Sequence, residues 1–269
     1  MSGGHRGLNS TSRPEGTTVT ARTHGRVRIE DGGKRVRTML GGIVIADSAD
    51  VKYVWEKPYY PTYYFPVADV HTDYLVPTGE ENRTPSRGTA QLHTVKANGK
   101  EAVNAVRWYT GAKIEELNDY ATFDWSAMDA WFEEDEEVFV HARDPYSRVD
   151  ILQSSRHVEV VINGEKVADS HQPRLLFETG LPTRYYLPKT DVRMDLLAPS
   201  DLHTACPYKG EASYYHVTVG GETFEDHVWW YPSPVAESQK IAGYLSFYNE
   251  KVDIYVDGKL QNRPNTMFS

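Results

Sequence analysis

The segment Thr204-Ala205-Cys206-Pro207-Tyr208-Lys209-Gly210 places a thiol, a phenol and an amine around one turn. A thiolate attacks where a thiol does not, and a nearby cation such as Lys209 or His203 favours the thiolate. The competing reading is structural. A lone cysteine is among the residues most often buried and behaves as a small hydrophobe. Lys209 would then close a salt bridge to Asp191 or Glu211.

Upstream, Arg184-Tyr185-Tyr186-Leu187-Pro188 ends a strand, and period-two alternation sets Arg184 and Tyr186 on one face with Tyr185 on the other. The planar fork of Arg184 suits a carboxylate or phosphate, or else a structural pairing partner. Glu178 closes an apolar run and is the carboxylate best placed for acid–base work beside Cys206 and Lys209. Together with Asp191 and the rings of Tyr186, Tyr208, Tyr214 and Trp230, these residues are expected to line a pocket for a small polar molecule. The pocket would either do chemistry or only bind.

The chain carries its own control. Residues 42–109 are read a second time, without a gap, at 164–231, with close to a third of the positions identical. Asp47 falls on Asp169, Glu56 on Glu178, Tyr63-Tyr64 on Tyr185-Tyr186 and Trp108-Tyr109 on Trp230-Tyr231. A repeat this long is a whole domain rather than a solenoid unit. Pro85 and Gly88 match Pro207 and Gly210, so the turn is common to both, whereas Cys206, Tyr208, Lys209 and Arg184 stand over Thr84, Ser86, Arg87 and Thr62. Residues present in one copy are candidates for a site; residues in both, such as Asp191 with its counterpart Asp69, can serve the fold alone. Beyond Tyr109, Trp131-Phe132 and Val138-Phe139-Val140 align with Phe247-Tyr248 and Ile254-Tyr255-Val256, which implies a short insertion in the first copy near 111–124.

A net charge of −9 without a Lys/Arg cluster argues against nucleic acid. One cysteine excludes an intramolecular disulfide and a Cys-based zinc site, and the histidines show no HxH or HExxH spacing, so no metal or cofactor is expected. Nothing approaches the roughly 18 apolar residues of a membrane span, and residues 1–25 lack the apolar region of a secretion signal. A cytoplasmic protein is expected, with packing between its own domains.

Short alternating segments bounded by turn residues dominate. Asn163-Gly164 suits a type I′ hairpin, and Gly220-Gly221 and Asp257-Gly258 mark further turns. Helical candidates are confined to Gly111–Asn118 and Pro234–Ile241. The division reads as a tail (1–25), a divergent first repeat (26–142), a connecting segment (143–156) packed between domains, a second repeat with the candidate site (157–259) and a C-terminal tail (260–269). The acidic run Glu133–Glu137 reads as a solvated turn.

The strings ETGLPTRYYLPKTDVRMDLL, TACPYKGEASYY, WWYPSP and FYNEKVDIYVDG, with IVIADS and VWEKPYYPTYYFPVADV in the first copy, resemble the domain-of-unknown-function family numbered 427 in its tandem form. The resemblance spans roughly residues 26 to 258. It implies a mainly β fold: two tandem, homologous, antiparallel domains of the β-tent type with at most one short helix each. Relatives of that fold hold zinc on two cysteine pairs, which this chain lacks. The family is sometimes labelled nucleotidyltransferase-like, yet the Gly-Ser turn and paired metal-binding aspartates of such enzymes are missing here.

Overall fold

Asn163 and Gly164 turn the chain at φ of +49° and +81°, and Asn98-Gly99, Gly220-Gly221 and Asp257-Gly258 repeat the pattern. Left-handed conformations at both central positions match the right-handed twist of the flanking strands, so each pair closes a tight hairpin. A computed structural model describes residues 22–269, so most of the expected N-terminal tail lies outside the described residues.

The first half contains β1 (Arg22–His24), β2 (Val27–Asp31), β3 (Val36–Leu40), β4 (Ile43–Ser48), β5 (Lys52–Trp55), β6 (Thr62–Pro66), β7 (Leu75–Thr84), β8 (Gly88–Ala97), β9 (Lys100–Ala112), β10 (Tyr120–Phe123), β11 (Ala130–Glu133) and β12 (Glu136–Glu137). They form a large sheet, β1-β2-β5-β6-β10-β9-β8-β7, and a small one, β12-β11-β3-β4. The second half contains β13 (Val149–Gln153), β14 (Val158–Ile162), β15 (Glu165–Ser170), β16 (Arg174–Glu178), β17 (Arg184–Leu187), β18 (Leu197–Cys206), β19 (Gly210–Val219), β20 (Glu222–Trp230), β21 (Leu245–Phe247), β22 (Asp253–Val256) and β23 (Lys259–Leu260). Its sheets are β13-β16-β17-β21-β20-β19-β18 and β15-β14-β22-β23. The molecule is mainly β, in two tandem antiparallel domains. The two helical candidates shorten to 3₁₀ turns at Glu115–Leu117 and Ala236–Ile241. No described helix is long and apolar enough to cross a membrane.

In each domain the large sheet is covered on both faces. One face meets the small sheet over an aliphatic core, Val36, Ile45, Val95 and Val106 with Trp131 in the first domain and Val158, Val217, Val228 and Ile254 in the second. The other face carries the tyrosines, Tyr64 and Tyr109 in the first domain, Tyr186, Tyr214 and Tyr231 in the second. Adjacent rings point to opposite faces, so Tyr185 joins the inter-sheet core while Tyr186 does not, as alternation requires.

Strand pairing corrects the expected register after Tyr109. Thr122 pairs with Tyr64 and Arg107, and Ser246 pairs with Tyr186 and Trp229. Thr122-Phe123 therefore correspond to Ser246-Phe247. Trp131, beside Thr38, corresponds to Ile254, beside Val160. No insertion in the first copy near 111–124 is needed, because the second copy has the longer connection before Ser246. Short apolar alternations look alike in sequence, and only their partners distinguish them. Glu133 also departs from expectation: it is buried, accepting from Tyr63 at 2.5 Å and Lys34 at 2.7 Å.

Candidate functional site

Both copies build a polar knot around a buried carboxylate–cation pair beneath the tyrosine face, with different partners for the tyrosine. In the first, Glu56 accepts from Tyr64 Oη at 2.7 Å and pairs with Arg87 at 3.0 Å and Arg107 at 3.3 Å, while Arg87 Nε donates to Tyr109 Oη at 3.2 Å. In the second, Lys209 Nζ lies 2.5 Å from Glu178, and Trp229, standing in place of Arg107, donates its Nε1–H to Tyr186 Oη at 3.0 Å. Burial, then the neighbouring carboxylate, pushes Tyr64 far above its ordinary value, and burial does the same to Tyr186. Both phenols stay neutral and act through hydrogen bonds. Gly88 and Gly210 end the preceding turn at φ of +93° and +96°, where a side chain would be strained; at Gly88 it would also meet the Lys113 backbone nitrogen at 2.7 Å.

The second domain draws together most of the sequence candidates. Cys206, half-buried at the end of β18, is close enough to Tyr186, Tyr208 and Tyr231 to oppose their ionisation. The partner of Lys209 is Glu178, not Asp191 or Glu211, and Lys209 occupies the place of Arg87, so the buried cation is common to both copies. Tyr214 Oη lies 2.7 Å from Thr204 Oγ1. Arg184 makes a two-bond pair with Glu250 at 2.7 Å each and is flanked by the rings of Trp229 and Phe268. Two candidates lie elsewhere. Trp230 points to the inter-sheet core, where Lys189 sits 3.8 Å above its ring, and the ring on the tyrosine face is Trp229. Asp191 accepts from Ser170 at 2.6 Å, the contact that Asp69 makes with Ser48 in the first copy.

The first domain holds an open cleft. Its volume is about 500 Å³, and it runs beside Thr62-Tyr63 and Phe123-Asp124, just beyond the end of the β6–β10 pairing at Tyr64 and Thr122. Glu56, Arg107, Asn82 and Asn104 lie along it, with Trp125 and Trp131 stacked 4.5 Å apart and His141 stacked on Tyr60 at 3.9 Å. The Oδ1 atoms of Asn82 and Asn104 are buried without a hydrogen-bond partner. Burial holds the His141 imidazole below its ordinary pKa. At the matching places of the second domain, Thr62 is replaced by Arg184, Leu92 by Tyr214, Arg107 by Trp229 and Asp124 by Tyr248, whose ring lies 4.5 Å from Trp229. The larger side chains occupy that volume.

The model of the domain of unknown function DUF427 matches the chain twice, over residues 28–134 and 150–258. The chain belongs to the DUF427 family. No curated protein matches it. The two matches coincide with the two sheet pairs, so each half is one DUF427 domain.

Between the DUF427 domains, residues 138–148 form a polar and aromatic seam. Arg28 lies over the rings of Trp55 and Tyr146, Tyr146 donates to Glu30 at 2.7 Å, and Trp55 Nε1 donates to Asp144 at 3.0 Å. The Asp144 amide in turn donates to Tyr208 Oη at 2.7 Å, and the Tyr208 ring meets the edge of His141. Tyr208 thus fastens the second domain to the irregular segment that walls the first domain's cleft. Sequence reasoning missed Glu56, Arg107 and His141. The available signal was the smaller residues Thr62, Leu92 and Asp124 at positions where the second copy has Arg184, Tyr214 and Tyr248.

Proposed function

We propose that this tandem DUF427 protein is a small-molecule binding module whose working site is the first-domain cleft. The observation that carries this reading is the contrast at matched positions: the cleft is open and polar in one copy and filled in the other. A volume of about 500 Å³ suits a small organic ligand. Trp125, Trp131, Tyr60 and His141 offer flat surfaces, which favour a planar molecule. Glu56 and the free amide oxygens of Asn82 and Asn104 favour N–H or O–H groups on it, and Arg107 favours one acceptor or anionic group. The DUF427 domain in the second half then serves to hold residues 138–148 against the opening.

The test is a thermal-shift screen of small heteroaromatic metabolites, with each hit repeated on Leu92→Tyr, which copies the second domain. Hits that stabilise the native protein and lose their effect in this variant support the reading. Hits that persist undiminished would place the ligand elsewhere.

A second reading keeps a site in the second domain, with Cys206 as nucleophile, Lys209 and Glu178 as acid–base pair, and Arg184, Tyr186, Tyr208, Tyr214, Trp230 and Asp191 toward the ligand. Its support is that Tyr186 and Tyr231 lie near both Cys206 and Glu178, the partner of Lys209. Against it, Lys209 is already neutralised by Glu178, and Arg184 by Glu250. Rapid alkylation of Cys206 well below the ordinary thiol pKa of about 8.5 would favour it; labelling only on unfolding would end it.

A further inference from the structure

On the outer face of the β14–β15 hairpin, Glu159 and Asp169 are direct cross-strand partners. Continuing that register two pairs outward, past Val158 and Ser170, sets His157 opposite His171, and their rings stack with centroids 4.1 Å apart. Alternation therefore gathers two imidazoles and two carboxylates on a single face. His157 Nε2 lies 2.6 Å from Asp169 Oδ1, and His157 Nδ1 lies 3.9 Å from Glu159 Oε2. One donor atom each from His157, Asp169 and His171 falls within 4.8 Å of the others. Facing carboxylates repel, and the Lys166 ammonium bridges them at 2.5 and 2.8 Å.

The first copy supplies the control. There Arg35 takes the place of His157 and Ala49 that of His171, while Asp47 matches Asp169. Arg35 closes on Asp47 through two hydrogen bonds, an arrangement with no nitrogen lone pair to offer. The second copy has exchanged a guanidinium and a methyl group for two imidazoles around the retained carboxylate.

We propose that this face is a binding site for a divalent transition-metal ion, with His157, His171 and Asp169 as ligands and Glu159 as an outer carboxylate. Imidazole nitrogen with carboxylate oxygen is the donor set of zinc and of copper(II) rather than of calcium or magnesium. Entry of the ion displaces Lys166 from the carboxylates and replaces the proton shared by His157 and Asp169. All of these side chains are at least partly exposed, so they can turn to converge on one ion. The site is remote in chemistry from the cleft and does not depend on its ligand.

The experiment is calorimetric titration of the full chain with zinc alone, followed by copper(II) electron paramagnetic resonance. We expect one ion bound per chain, at least tenfold weaker binding in His157→Ala and in His171→Ala, and tighter binding in Lys166→Met, which removes the competing cation. Copper(II) spectra should show two imidazole nitrogens in the native chain and one in either histidine variant. Absence of binding, or affinity and spectra unchanged in both histidine variants, would overturn the proposal. The substituted residues are at least partly exposed, and a native melting temperature in each variant is the control that folding is not being read instead.

Discussion

The two DUF427 domains share a backbone plan and a buried carboxylate–cation knot beside a tyrosine, yet they differ in what stands over it. In the first, Thr62, Leu92, Arg107 and Asp124 leave a cleft. In the second, Arg184, Tyr214, Trp229 and Tyr248 fill the same volume, and Phe268 lies beside Arg184 and Tyr248. What both copies keep serves the fold; what only one keeps open is where a ligand can enter. Of the residues that mark the second copy in sequence, Arg184 belongs to this filling, whereas Lys209 takes the place of Arg87 and Tyr208 bonds to the seam.

The largest effect should come from breaking that filling. Glu250 is fully buried against Arg184, and losing one partner of a buried pair costs about 3–5 kcal/mol. We expect Glu250→Ala to lose that much in urea unfolding, while Thr62→Ala at the matched place of Arg184 stays within about 0.5 kcal/mol. Equal losses would erase the contrast. The pair also predicts acid sensitivity. Burial alone would raise the Glu250 pKa, but hydrogen bonds from Arg184 and Thr266 hold it below its ordinary value. Its contribution is therefore complete above the unfolded pKa of about 4.3 and is lost as pH falls through the lower folded value. A stability curve for Glu250→Gln that matches the native acid limb would contradict this.

The shared knot sharpens the comparison from the other side. Tyr64→Phe removes a donor to Glu56, and Tyr186→Phe removes the acceptor of the Trp229 N–H. Each should cost about 1–3 kcal/mol, because a buried polar group is left unpaired. A Tyr64→Phe variant with native stability but altered ligand affinity would show instead that the first-domain knot is tuned for binding.

Much of this fold was legible in sequence. Asn163-Gly164 announced its hairpin, and alternation set Tyr185 and Tyr186 on opposite faces, because turn geometry and the period of a strand are local properties. The same alternation, applied to Trp229-Trp230, would have set Trp229 on the face of Tyr186, had the registers of β17 and β20 against the β21 strand between them been known. Lys209 found Glu178 across the sheet rather than the carboxylates nearest in sequence, a pairing fixed by strand order. The cleft was hidden for a different reason. Openness depends on the summed volume of side chains from several strands, so it shows as small residues where the other copy has large ones. Cys206, Arg184 and Tyr208 drew attention as gains, whereas the space lay at Thr62, Leu92 and Asp124.

Smaller still is the effect expected at the seam. Tyr208→Phe leaves the Asp144 amide without its acceptor and should cost about 1 kcal/mol. Its more telling readout is faster proteolysis within residues 138–148, with both domains otherwise protected. Cleavage no faster than in the native chain would mean that Tyr208 does not fasten the cleft wall.

The most direct measurement is crystallographic soaking of small heteroaromatic fragments into the full chain. We expect density in the first-domain cleft, against Arg107, Asn82, Asn104 and the Trp125–Trp131 pair, and none over Arg184 and Trp229 in the second domain. Fragments that settle around Cys206, Tyr208 and Tyr214 while the first-domain cleft stays empty would contradict the division of roles between the two domains.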